Sequence, residues 1–306
     1  MDEPLTLLSI HAHPDDEASK GAPTVARYAA EGISSVLVTC TGGEEGDILN
    51  DELDHPHIRE NLAEVRRQEL DEAVRIIGYD RLHLLGYRDS GMPDSDANGR
   101  ADNFANAPLD EVAGRLAAII RAERPQVIIT YSAEQKRYPH PDHLRVYDIT
   151  DPAIERAADP NWQPDPAVLN IDEHFLAGHE EITHPWQVQK IYWSNGFTRG
   201  RILTMHAWFE EQGEESPFAD WVEKIPDDAD AGITTRINIA DTVGVGRDAL
   251  AAHRTQVSPG GWWFKVPLEV MATRHPWESF TLASSLVGKG DVDDEGFETD
   301  LFGGLR

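Results

Sequence analysis

Along the first half of the chain, short apolar runs alternate with longer stretches whose apolar residues recur at helical spacing. LTLLSI (5–10) and GISSVLVTCT (32–41) read as buried strands, RLHLLGY (81–87) as a third strand and the apolar run from Val127 to Tyr131 as a fourth. Between them, ASKGAPTVARYAAEG, ENLAEVRRQELDEAVRIIG and LDEVAGRLAAIIRAERP read as helices. The second of these places Leu62, Val65, Ala73, Ile76 and Ile77 on one face and stops at Gly78, with Arg66 and Glu69 expected as a surface ion pair. This alternation predicts an α/β fold: a Rossmann-like, mostly parallel sheet with helices on both faces. In a doubly wound sheet the first strand is central, the fourth lies beside it, and ligands bind where the winding reverses.

The second half is less regular. A helix is expected from His143 through LRVYDITDPAIERAAD, interrupted near Pro152, and residues 159–187 look like a surface excursion. His174, His179 and His184 lie in that excursion at a spacing that matches no compact ligand pattern, so they read as structural or exposed. KIYWSNGF and TTRINIA are further strands flanking a helical HAWFEEQ region. Gly244, Gly246 and Ala249 have the GxGxxA spacing, but they are far from a first βαβ turn and lack the acidic residue that follows such a fingerprint. A nicotinamide oxidoreductase is therefore disfavoured. One domain is expected over residues 1–287, followed by an acidic, Gly-rich tail, 288–306, expected to be poorly ordered.

Composition narrows the partners. The 306 residues carry 55 acidic against 27 basic side chains, a formal charge of -28 that repels phosphate backbones and anionic lipid. Nucleic acid and membrane are excluded as expected partners. No apolar run approaches a bilayer-spanning length, and the start of the chain is acidic where a signal peptide is basic, so a cytoplasmic location is expected. The single cysteine, Cys40, ends an apolar run and reads as a buried, inert thiol. A homo-oligomer is left open.

Chemistry concentrates in two segments. IHAHPDDEASKG (10–21) packs two histidines and three carboxylates between the first strand and the first helix. With a helix starting near Pro14, His13 and Asp16 project from one turn and Asp15 points elsewhere, which suits two ligands and a free base. YPHPDH (138–143) repeats His, Pro and Asp directly after the fourth strand. If the two clusters face each other, His13, Asp16 and His143 make two imidazoles and a carboxylate, a set that suits zinc. The loop after the second strand adds Glu44, Glu45 and Asp47, read first as solvated, and the loop from Arg88 to Pro108 is too long for a plain connection.

HAHPDDE near the start together with HPDH near the middle resembles the LmbE-like, or PIG-L, family of zinc-dependent amide hydrolases. TGGEEGDILN, RRQEL, RDSGM and AHRTQ resemble further family stretches, and the likeness leans toward the mycothiol S-conjugate amidase and mycothiol-precursor deacetylase branches. The resemblance implies one zinc ion per chain held by His13, Asp16 and His143, with Asp15 as general base. It implies Tyr138 and His140 assisting the oxyanion or leaving group, and Asp142 orienting an imidazole. Arg66, Asp89 and Glu44 are then candidate contacts to an amino-sugar or thiol-conjugate amide. SAEQKRYPHPDH departs from the family pattern, with Gln135, Lys136 and Arg137 where a glycine pair is expected. That bears on the substrate rather than the chemistry, and an amide from natural-product maturation fits too. A metal-dependent binding protein without turnover is the alternative of a different class.

Overall fold

Leu7 faces one buried cluster while its neighbours Leu8 and Ile10 face another, and Leu37 divides in the same way from Val36 and Val38. Period-two alternation along strands buried on both faces therefore feeds two cores. The computed structural model describes residues 4–133, 139–165 and 180–306. Its first half runs β1 (Thr6–His11), α1 (Asp16–Ser19), α2 (Ala22–Ala30), β2 (Ser34–Thr41), α3 (Pro56–Glu60), α4 (Leu62–Ile77), β3 (Arg81–Tyr87), α5 (Leu109–Glu123), β4 (Val127–Thr130) and α6 (Pro141–Ala158). The second half runs β5 (Lys190–Asn195), α7 (Arg199–Gln212), α8 (Ala219–Lys224), β6 (Thr235–Asn238), α9 (Val243–Ala252), α10 (Trp262–Lys265), α11 (Leu268–Arg274) and β7 (Trp277–Ser285).

Among the described residues, seven strands form one sheet in the order β3-β2-β1-β4-β5-β7-β6. The first five in that order are parallel, and β7 runs antiparallel to β5 and β6. One face is covered by Val25 and Tyr28 of α2, Leu70 and Ala73 of α4 and Leu250 of α9. The other is covered by Val112 and Leu116 of α5 and Val146 and Ile149 of α6. The α/β sheet with helices on both faces is thus as expected, with β1 central and β4 beside it.

Several local expectations are corrected. The helix after β1 starts near Pro14, with Asp15 as its N-cap, but does not run on; it breaks at Gly21 (φ 116°) into α1 and α2. Pro23 suits the first turn of a new helix, and Glu278 of β7 accepts the N–H groups of Gly21 and Thr24 there. Pro152 does not interrupt α6, because Ile149, Ala153, Ile154 and Ala157 are buried against their neighbours and outweigh a cost of about 3 kcal/mol. Arg66 and Glu69 are buried rather than a surface pair. Gly246 of the glycine decoy is a packing residue: a Cβ there would lie 2.8 Å from the Pro23 ring.

The tail is not poorly ordered. Leu301 and Phe302 are fully buried in the core beside α2, and Tyr28 bonds Asp300 through its hydroxyl. Cys40 is buried as expected, which pushes its thiol well up. His184 is exposed, while His174, His179 and Tyr138 lie outside the described residues. Among the described residues no helix is long and apolar enough to cross a membrane.

Candidate metal centre and active site

The carboxyl ends of β1, β3 and β4 each deliver part of one buried cluster. After β1 the chain turns so sharply that Asp15 sits at φ 110°, ψ -25°, in the left-handed region, and caps α1. For a residue other than glycine this costs about 1–3 kcal/mol and persists only where neighbours enforce it. The turn sends His13 and Asp16 inward and leaves Asp15 partly exposed. After β4, His140 and Pro141 open α6, so His143 faces back across the sheet edge.

His13 Nδ1 and His143 Nε2 lie 3.4 and 3.3 Å from the same oxygen, Asp16 Oδ2. One donor atom from each of the three falls within 4.8 Å of the others, and all three residues are buried. The other Asp16 oxygen is paired with Lys20. On its far side, His13 Nε2 is 3.2 Å from Asp142 Oδ2 and 3.6 Å from Asp89 Oδ1. A second grouping, His13, Asp89, His140 and Asp142, also brings its donor atoms within 4.8 Å. Its carboxylates are engaged with main-chain donors: Ser90 N–H donates to Asp142 at 3.0 Å and Gly91 N–H to Asp89 at 2.8 Å.

The remaining expected residues divide. Arg66 Nη2 is 3.0 Å from Asp15 Oδ2, and the same guanidinium donates to the carbonyls of Pro14 and Gly43. A Cβ on Gly43, at φ 67°, would collide with that guanidinium, so glycine is required there. Arg66 and Asp89 are each 3 % exposed and turned inward. Glu44 belongs to neither grouping; it is half-buried and lies 3.6 Å from Arg88.

The cluster shifts its own ionisations. Burial opposes charge on His13, yet hydrogen bonds to Asp142, Asp16 and Asp89 outweigh it and lift the imidazole well above its ordinary pKa. Burial also opposes charge on Asp16, and Lys20 with His143 outweighs it, holding the carboxyl well below the usual range. Asp15 is raised, burial exceeding the pull of Arg66. His140 falls to about 4 through burial and the charge of His13. Its Nδ1 accepts the Asp142 N–H at 3.2 Å, so the neutral ring carries its proton on Nε2.

Residues that the sequence pattern did not single out complete the surroundings. Tyr131, just past β4, stacks on His143 with ring centroids 4.7 Å apart and lies 3.3 Å from His11 Nδ1 through its hydroxyl. Ser90 holds both oxygens of Asp142. Glu17 and His253 form a fully buried pair. A polar aromatic ending an apolar run is the signal that pointed to Tyr131; Ser90 and His253 stand in RDSGM and AHRTQ, stretches that carry the resemblance, but what each of them touches becomes visible only through tertiary contact.

A search of family models matches residues 8–154 to GlcNAc-PI de-N-acetylase, PIG-L. Over 311 residues the chain is 40% identical to the mycothiol S-conjugate amidase of Streptomyces coelicolor, covering 100% of this chain and 99% of that protein. The chain belongs to the PIG-L family. A second PIG-L relative, the 1D-myo-inositol 2-acetamido-2-deoxy-alpha-D-glucopyranoside deacetylase of Streptomyces avermitilis, is 35% identical, covering 98% of this chain and 97% of its own length. Among solved structures, N,N'-diacetylchitobiose deacetylase from Pyrococcus horikoshii superposes with a TM-score of 0.59 at 19% identity, covering 92% of this chain and 84% of that one. That likeness establishes a shared fold. Both clusters fall inside the matched family segment, whereas β5 to β7 and the tail lie beyond it.

Proposed function

We propose that the chain is a zinc-dependent amide hydrolase that releases the amine from an N-acyl glucosamine-type substrate. The candidates are a mycothiol S-conjugate or the acetamido sugar of inositol named for its relatives. The carrying observation is the convergence of His13, Asp16 and His143 beside a carboxylate that is not one of them, Asp15. Two imidazoles and one carboxylate suit a catalytic zinc, and Asp142 against the second His13 nitrogen is the support such a ligand requires. We favour this set over the second grouping because Asp142, held through both oxygens by Ser90, backs His13 as its support.

When bound, zinc supplies Lewis-acid polarisation of a carbonyl oxygen and acidifies water toward a pKa of about 7. The protein's own residues do the rest. Arg66 fixes Asp15 through Oδ2, and the other oxygen takes the proton of the attacking water. Burial makes Asp15 a better base than an exposed aspartate. Neutral His140 donates its Nε2–H to the negative charge growing on the amide oxygen. Asp15 then returns its proton to the departing amine nitrogen.

Of the expected substrate contacts, Glu44 keeps that role on the partly exposed rim, while Arg66 acts through Asp15 and Asp89 through His13. The test is amine release by the zinc-loaded protein from a panel of N-acyl glucosamine derivatives, with Asp15→Ala as the blank. Turnover in the blank equal to wild type would remove the base. Substrate binding without amine release would convert the reading to a binding protein.

A further inference from the structure

We infer that the buried Glu17–His253 pair is a positioning device that holds Asp15 in its left-handed turn. Its catalytic consequence rests on reading Asp15 as the base; its conformational content does not. Glu17 and His253 are both 0 % exposed, so neither reaches substrate. His253 Nε2 lies 2.5 Å from Glu17 Oε1, bridging 236 residues of sequence. The other oxygen, Oε2, accepts the main-chain N–H of Asp15 at 2.9 Å. The strained residue is therefore gripped at its amide by Glu17 and at its carboxylate by Arg66.

Both grips refer back to one short segment. His253 follows α9, and two residues on Thr255 donates its N–H and hydroxyl to the carboxylate of Glu69 at 2.9 and 2.7 Å. Glu69 lies one turn beyond Arg66 on α4. The carbonyl of Thr255 accepts the N–H of Leu49 at 2.8 Å, tying in the loop that contains Gly43. The segment His253 to Thr255 thus sets the α1 turn, α4 and that loop against one another, and Asp15 stands where they meet. Loss of the His253–Glu17 bond frees Glu17 to leave the Asp15 amide, and the peptide then relaxes toward an ordinary conformation that moves the carboxylate.

The experiment compares crystal structures, zinc content and steady-state kinetics of wild type and His253→Phe, which keeps a ring and removes both nitrogens. Glu17→Met, which keeps the length and removes the acceptor, reads the same backbone if His253→Phe does not fold. The expected result is an Asp15 φ outside the left-handed region, zinc content unchanged, KM unchanged and kcat lowered about 100-fold, the scale of a ~1 Å misplacement. Glu17→Gln, which retains an oxygen for the Asp15 amide, is expected to recover most of that loss. In an Asp15→Asn background, His253→Phe is expected to cost nothing further, because there is no base left to position. An unchanged Asp15 φ in the folded variants overturns the inference, as does an equal loss of kcat in both backgrounds. A wild type without amine release removes the substrate reading instead, and the Asp15 φ still decides the role of the pair.

Discussion

Two of the buried charge clusters invite comparison, one at the carboxyl ends of the parallel strands and one beneath the tail. Under the tail, Lys190 of β5 pairs with Glu298, both 0 % exposed. Lys190 also donates to the Gly303 carbonyl at 3.1 Å, and Glu298 accepts from Tyr192, Thr235 and the Gly290 amide at 2.6, 3.1 and 2.7 Å. One positive charge meets one negative charge, and each has its hydrogen bonds. Around His13 the balance differs: carboxylate oxygens of Asp16, Asp142 and Asp89 lie 3.4, 3.2 and 3.6 Å from a single imidazole, and Lys20 pairs with Asp16, leaving the carboxylates in excess. Burial makes such an excess of one sign costly unless a cation shares the site. Buried charge by itself therefore does not mark function; the unbalanced remainder does.

The sharpest break between the clusters is expected in turnover. His143→Ala should lose both zinc and amine release, whereas Asp15→Asn should keep zinc and lose about 10²–10⁴-fold in kcat, measured by elemental analysis beside the amine assay. The tail cluster should answer only in stability. Glu298→Ala leaves Lys190 buried without its partner and should cost about 3–5 kcal/mol in urea unfolding, with kcat of the folded protein unchanged. Replacing both, Lys190→Met with Glu298→Leu, should restore most of that stability, because an apolar pair avoids the desolvation cost. A fall in zinc affinity in either tail variant would join two regions that are separate here.

The smallest effect concerns acid. Burial opposes charge on Asp300, but Arg306, the Phe302 N–H and the Tyr28 hydroxyl outweigh it and hold the carboxyl below its ordinary value of 3.8. A depressed folded pKa gives stability that is fully present above 3.8 and is lost as pH falls through the lower folded value. Asp300→Asn should flatten that slope in unfolding midpoints measured across the acid range; an unchanged slope would separate the carboxyl from tail docking.

The same comparison explains what was legible in the sequence. The parallel half announced itself because its strands are short and rich in apolar residues and its long helices are amphipathic, so β1 to β4, α4 and α5 follow from the pattern, even though β3 at the sheet edge is mostly unburied. His13, Asp16 and His143 were legible because two His-Pro-Asp motifs each follow such a strand, and strand order does the rest. The antiparallel edge was opaque. β7, WESFTLASS, mixes polar and apolar residues, and its Glu278 serves the amino terminus of α2 from 254 residues away. The tail looked disordered by composition, yet Phe302 fills the core and Glu298 meets a lysine that no local pattern could match to it. Arg66 looked like a surface residue because helical periodicity cannot show that its guanidinium reaches Asp15.

Anomalous diffraction at the zinc edge from crystals of the zinc-loaded protein tests the account most directly. The account predicts one strong peak bonded by His13, Asp16 and His143, with Asp15 beside it and not coordinated. A peak held by Asp89, His140 and Asp142 in place of Asp16 and His143, or one coordinated by Asp15, would contradict it.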